Sequence, residues 1–193
     1  MARKPDQKLK KEILDRILLA LSRKGLHNLS LRGIGREIGI SDRMLVFHFK
    51  TYENLINSVF LHLSLRHKTI LREILIENAD KSLLEIYELF TARILTNENR
   101  NTLLLFLELY MKALRDVAGY RDFFNEVLIN WIHETASVIE DIYKDKSAVY
   151  ATIMVSFYRG LMLDWLATND MERILESRNT FVSLITEKSV LNK

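Results

Sequence analysis

Between positions 30 and 52 the chain gathers side chains suited to holding phosphate and reading bases: Ser30, Arg32, Arg36, Ser41, Arg43, Met44, His48, Lys50, Thr51 and Tyr52. Arginine meets guanine O6 and N7 bidentately, an apolar side chain meets a thymine methyl, and hydroxyls, histidine, lysine and helix-start amides hold phosphates. The charge pattern agrees. Residues 1–72 carry 15 Lys+Arg against 6 Asp+Glu, a balance of +9, and residues 73–193 carry 13 against 19, a balance of −6. A basic first third on an acidic remainder suits a surface that faces a polyanion.

Other chemistries find no residues to carry them. There are no cysteines, which removes disulfides, thiolate metal sites and cysteine nucleophiles, and fits a reducing cytoplasm. Gly33-Ile34-Gly35 followed by Gly39 misses the dinucleotide fingerprint by one position, and no strand precedes it. His133-Glu134-Thr135-Ala136-Ser137 begins like a zinc-protease motif but ends in serine. His62 and His67 stand five apart, which puts them on different helix faces. No nucleophile–base set can be read, so the expectation is a protein that is not an enzyme and needs no metal or cofactor. The basic N-terminus has no apolar run of a signal peptide, and Glu108, Arg159 and Asp164 interrupt the longest apolar stretches. The expected location is cytoplasmic, without a membrane partner.

The elements that position these residues read as helices throughout. One proline, six glycines and 48% hydrophobic residues leave little material for turns and much for long helices. Periodic apolar positions run from Lys8 to Lys24, with Gly25 as the stop. Ser30 caps a helix to Ile38, Ser41 caps one from Asp42 to about His48, and Thr51 caps one reaching about Ile76. The last spans roughly 35–40 Å at 1.5 Å per residue. Ser82 with Glu85 forms a capping box for a fifth helix. Further helices are expected over Asn101–Val117, Tyr120–Tyr143, Lys146–Ala167 and Asp170–Lys188. The fold class is thus all-α, about nine helices, in three parts: 1–50, a connecting helix at 51–77, and 78–193.

Only Gly39-Ile40-Ser41 separates the second and third helices, which is helix-turn-helix spacing. Gly35 stands where the two would approach closely. Leu45, Phe47 and Phe49 are expected to pack inward, and Ser41, Arg43, Met44, His48 and Lys50 to face a partner. The run Leu29-Ser30-Leu31-Arg32-Gly33-Ile34-Gly35-Arg36-Glu37-Ile38-Gly39-Ile40-Ser41, with Phe47-His48-Phe49-Lys50-Thr51 and Leu55 after it, resembles the DNA-binding signature of TetR/AcrR (tetracycline-repressor-like) regulators. The resemblance implies a homodimeric transcriptional regulator, usually a repressor. Its N-terminal helix-turn-helix would bind a palindromic operator in double-stranded DNA, and its C-terminal domain would bind a small-molecule effector and dimerise. Arg32 and His48 fall where such proteins often contact bases or phosphates. Val46 replaces a common phosphate-binding tyrosine, Tyr52 a common lysine, and Arg43 and Met44 a frequent glycine and threonine.

In the C-terminal part, aromatic and polar residues at helical spacing mark a candidate apolar ligand site: Phe106, Tyr110, Phe124, Trp131, His133, Tyr158 and Met162. The last two helices are apolar on more than one face. Tyr150, Met154, Phe157, Phe181 and Ile185 form a candidate dimer face, which a second copy would cover as a four-helix bundle. The alternative reading is a helical carrier or enzyme without specific DNA binding.

Overall fold

The computed structural model describes residues 6–25, 30–116 and 119–190. Leu29, Val117 and the Phe123 side chain lie outside the described part. Every regular element described is helical, and no strand occurs among the described residues, in keeping with an all-α class. Two compact units emerge. One comprises Met1–Arg66 with Asn101–Phe124, the other His67–Arg100 with Asn125–Lys193.

The first unit begins with α1 (Gln7–Lys24). Its N-terminus is capped by Asp6, whose carboxylate accepts from the Lys8 amide at 2.9 Å, and it ends on Gly25 at φ 70°. Ile13, Leu14, Ile17, Leu18 and Leu21 form its buried stripe. Each such side chain contributes roughly 1.5–3 kcal/mol of burial. α2 (Leu31–Ile38) packs against it and α3 (Asp42–Phe49) against α2, while α4 (Tyr52–Glu77) meets α1 where His62 Nε2 lies 2.6 Å from Asp15 Oδ1. Arg16 donates from its guanidinium to the Ile38 carbonyl, satisfying an orphan acceptor at the end of α2. On α4, Leu55, Ile56, Val59, Phe60 and Leu63 are buried. In α6 (Arg100–Arg115), Leu103, Leu105, Phe106 and Leu109 are buried, and Phe106 meets Phe60 edge-on at 6.4 Å.

In the second unit, α5 (Leu83–Ile94) starts at a complete capping box. Ser82 Oγ accepts from the Glu85 amide, and the Glu85 carboxylate accepts from the Ser82 amide at 2.9 Å. Hydrogen bonds donated by the Ser82 amide, the Ser82 hydroxyl and Lys81 hold the Glu85 carboxyl pKa at about 2. The single helix expected from Tyr120 to Tyr143 is broken instead. It runs as α7 (Arg121–Phe124), a π-helical turn at Asn125–Ile129, α8 (Asn130–Val138) and α9 (Glu140–Tyr143). A π turn inserts one residue and frees backbone groups. Arg159 meets that need by donating to the Val127 carbonyl at 3.1 Å. Ile139, at φ −104° and ψ 7°, then separates α8 from α9. The unit closes with α10 (Ser147–Thr168) and α11 (Met171–Val190). They are joined by Asn169 in the left-handed region and clamped by a bidentate Arg173–Asp164 pair at 2.7 and 2.9 Å. Trp165 is fully buried, with the Arg100 guanidinium 5.6 Å from its ring centre.

Candidate nucleic-acid interface

Local hydrogen bonding builds the helix-turn-helix. Ser30 Oγ accepts from the Gly33 amide at 3.1 Å, Ser41 Oγ from Met44 at 3.3 Å, and Thr51 Oγ1 from Asn54 at 3.1 Å. These three hydroxyls act as helix caps. Gly39 turns the chain at φ 65°, ψ 37°, a conformation glycine adopts at little cost. Gly35 allows the helices to touch, since a Cβ there would lie 2.7 Å from the Ile40 carbonyl oxygen.

The faces of α3 follow from its register. Leu45, His48 and Phe49 are buried, the spacing of one helix face, so Arg43, Met44, Val46 and Phe47 turn outward. Two residues therefore exchange the places expected of them. Phe47 is 40% exposed, whereas His48, a candidate contact, is only 7% exposed. The geometry of the helix overrides side-chain polarity. Neither His48 ring nitrogen has a hydrogen-bond partner among the described residues. Burial, then the nearby Lys10 charge, lowers its pKa, and Asp6 opposes this weakly.

That histidine carries a pH prediction. Unfolded, it takes up a proton near pH 6.5, and folded only at a lower pH, so the unfolded chain binds more protons in between. Stability should therefore fall as pH drops below about 6.5. His48→Leu should flatten that slope, and denaturant midpoints from pH 7.5 to 5 would show it. Equal slopes in both proteins would remove His48 as the cause.

The other candidates are placed as follows. Arg32 is well exposed and lies 3.6 Å from Asp42 across the two helices. Arg36, Arg43 and Lys50 are exposed. Tyr52 is half-buried beneath the Lys112 ammonium, 5.8 Å from its ring. Burial, then the Glu53 charge, raises its pKa. Glu37, the acid beside Arg36, is neutralised by Lys24.

The candidate ligand residues divide between the two units. Phe106, Tyr110 and Phe124 form an aromatic chain inside the first unit. His133 is exposed, and Met162 is buried. Trp131 and Tyr158 do share a cavity of about 50 Å3 within the second unit, and its wall includes Leu71, Tyr87, Phe90 and Thr135. The Tyr158 hydroxyl is enclosed without a partner among the described residues, and burial pushes its pKa far upward, so it stays a donor. Tyr87, beside it, donates to the Met154 carbonyl at 3.3 Å. Among the described residues, no charged side chain lines this cavity. The sequence pattern did not single out Leu71, Tyr87 or Phe90. They stand on ordinary apolar helix stripes, which look the same whether they line a cavity or fill a core.

The candidate dimer residues are largely covered within their own chain. Met154 and Ile185 are buried with Tyr87, Tyr143 and Val182. Phe157 stacks on Phe181 at 3.8 Å, and Tyr150 on Tyr143 at 3.9 Å. The large apolar residues α10 leaves outward are Val149 and Ile153, each one position before an expected residue, and Leu163.

No helix among the described residues is long and apolar enough to cross a membrane, and no cluster of metal-ligating side chains occurs there. No family model and no curated protein matches the chain. Solved structures do. A Rhodococcus sp. protein assigned to the TetR family of transcriptional regulators superposes with a TM-score of 0.77 at 18% identity, covering 94% of this chain and 100% of its own. A transcriptional regulator from Rhodococcus sp. Rha1 gives 0.77 at 14%, covering 92% and 96%. The multidrug binding protein EbrR, complexed with imidazole, gives 0.64 at 19%, covering 93% of both chains. The helix order, the helix-turn-helix and these superpositions agree that the chain adopts the fold of the TetR-family transcriptional regulators.

Proposed function

We propose that the protein is a sequence-specific DNA-binding transcriptional regulator, a homodimeric repressor that a small, largely apolar effector releases from a palindromic operator. The observation that carries this reading is the capped, glycine-tight helix-turn-helix with Arg43 pointing outward. It sits on a fold shared with transcriptional regulators. Residues 1–50 would hold the DNA, 51–77 connect, and 78–193 bind effector and partner copy. Arg43 contacts a base edge, while Arg32, Arg36 and Lys50 hold phosphates.

The effector enters the cavity at Trp131 and Tyr158. EbrR, which carries imidazole, supports a compact effector. At about 50 Å3 the cavity exceeds the roughly 10–15 Å3 one water needs, but falls short of the roughly 150 Å3 of a cavity known to hold benzene. A ring-sized effector therefore has to move a wall. Leu71 is the wall residue on α4, the helix whose earlier turns form the core of the DNA-binding unit.

The second copy covers α10. Val149, Ile153, Ser156, Gly160 and Leu163 recur every three or four residues on one face. A Cβ at Gly160 would meet nothing within 4 Å, so the small residue leaves room for a partner helix.

Footprinting on the DNA upstream of the gene tests the reading, with a protected two-fold symmetric site as the expected result. Absence of sequence-specific binding at moderate salt would favour a carrier or enzyme. Arg43→Ala should weaken operator binding by about 1–3 kcal/mol and relax preference at one base pair per half-site. Unchanged affinity and preference would take Arg43 out of the site.

A further inference from the structure

The outward face of α3 is mostly hydrocarbon. Met44 is 39% exposed, Val46 46% and Phe47 40%. Scattered exposed apolar residues need no explanation. Three within four consecutive positions, on the helix that follows a helix-turn-helix turn, form a patch. The hydrogen-bonding side chains of this helix's exposed face are few. Asp42 is turned back on α2, with one carboxylate oxygen 3.6 Å from Arg32 Nε and the other 3.1 Å from where a Gly35 Cβ would stand. Arg43 remains. Lys50, just beyond the helix, has its ammonium 6.0 Å from the Phe47 ring centre.

The surrounding charge selects the occupant. Arg43 and Lys50 are exposed beside the patch, Arg36 is exposed on α2, and residues 1–72 carry a balance of +9. The complement of a cationic rim around a hydrocarbon strip is a polyanion with apolar groups in its floor. The DNA major groove is such a surface, and its base edges carry one apolar group, the thymine 5-methyl. Methionine, valine and phenylalanine offer base edges no strong donor or acceptor. From that groove they can draw sequence information only through methyl contact.

We infer that α3 recognises thymine methyl groups, with at least two thymines per half-site beneath Met44 and Phe47 and Arg43 adding a hydrogen-bonded contact beside them. The inference rests on the DNA-binding reading above.

The test starts from duplexes selected out of a random pool by the wild-type protein. Each thymine of the selected half-site is then replaced singly by deoxyuridine, which deletes the methyl and keeps the O4 acceptor. At two or more positions affinity should fall about three- to tenfold, the scale of one buried methyl group. Phe47→Ala and Met44→Ala should each bind the thymine operator more weakly and lose the uracil effect at one position. If a sequence is selected and uracil is tolerated throughout, the inference is overturned and DNA binding stands. If no sequence is selected, both fall. The uracil arm uses the unaltered protein, so it does not depend on any variant folding.

Discussion

Gly35→Ala is expected to destabilise the first unit by about 2 kcal/mol and to weaken operator binding more than tenfold, while Gly33→Ala, two residues away, should stabilise it by a few tenths. Both changes gain helix propensity, up to about 1 kcal/mol in a helix interior. They differ in what the new methyl meets. At Gly33 the nearest atom is Ser30 Oγ at 3.5 Å, an ordinary contact. At Gly35 it is the Ile40 carbonyl oxygen at 2.7 Å, with Asp42 Oδ1 at 3.1 Å and the Leu45 side chain at 3.4 Å. The carbonyl belongs to the turn itself and cannot swing aside like a side-chain tip. Overpacking of this kind costs roughly 1–3 kcal/mol or more, which outweighs the gain. The turn must open, tilting α3 and loosening the Arg32–Asp42 pair. Denaturant midpoints and operator affinities of the two variants check this. If Gly35→Ala were as stable as Gly33→Ala, the close approach of α2 and α3 would be refuted.

What the sequence made legible was short-range. Ser30, Ser41, Thr51 and Ser82 cap the helices where their spacing indicates, because a cap depends on groups three residues away. Gly25 and Gly39 terminate helices for an equally local reason. What it hid was the direction of side chains on helices apolar nearly all round. In α3 the aromatic side chain of Phe47 suggested a core position, and the imidazole of His48 a surface one. Yet Leu45 fixes the buried face, and positions three and four beyond it are His48 and Phe49. In α10 the same ambiguity separates Tyr150 and Met154 from Val149 and Ile153, neighbours about 100° apart around the helix. The π turn at Asn125–Ile129 was illegible for another reason. One inserted residue leaves the apolar pattern intact, and its stabilising partner, Arg159, lies 32 positions along the chain.

That 100° offset can be tested with adjacent substitutions. Ile153→Asp should leave the chain folded but separate the copies, whereas Met154→Asp should unfold the second unit. Ile153 is 43% exposed in the single chain, so an aspartate there keeps much of its water until a partner covers it. Met154 is 3% exposed amid Tyr87, Tyr143 and Val182. A carboxylate at that position is buried without a cation and costs several kcal/mol at once. Across a two-fold axis each Ile153→Asp appears twice, so about 4 kcal/mol or more opposes association, at least roughly a thousandfold in the dimer constant. Operator affinity should fall with it, because two half-sites gripped by one dimer act as a linked pair and two free chains do not. Sedimentation and circular dichroism on both variants separate these outcomes. An Ile153→Asp protein that stays dimeric and binds the operator as before would move the interface to another face.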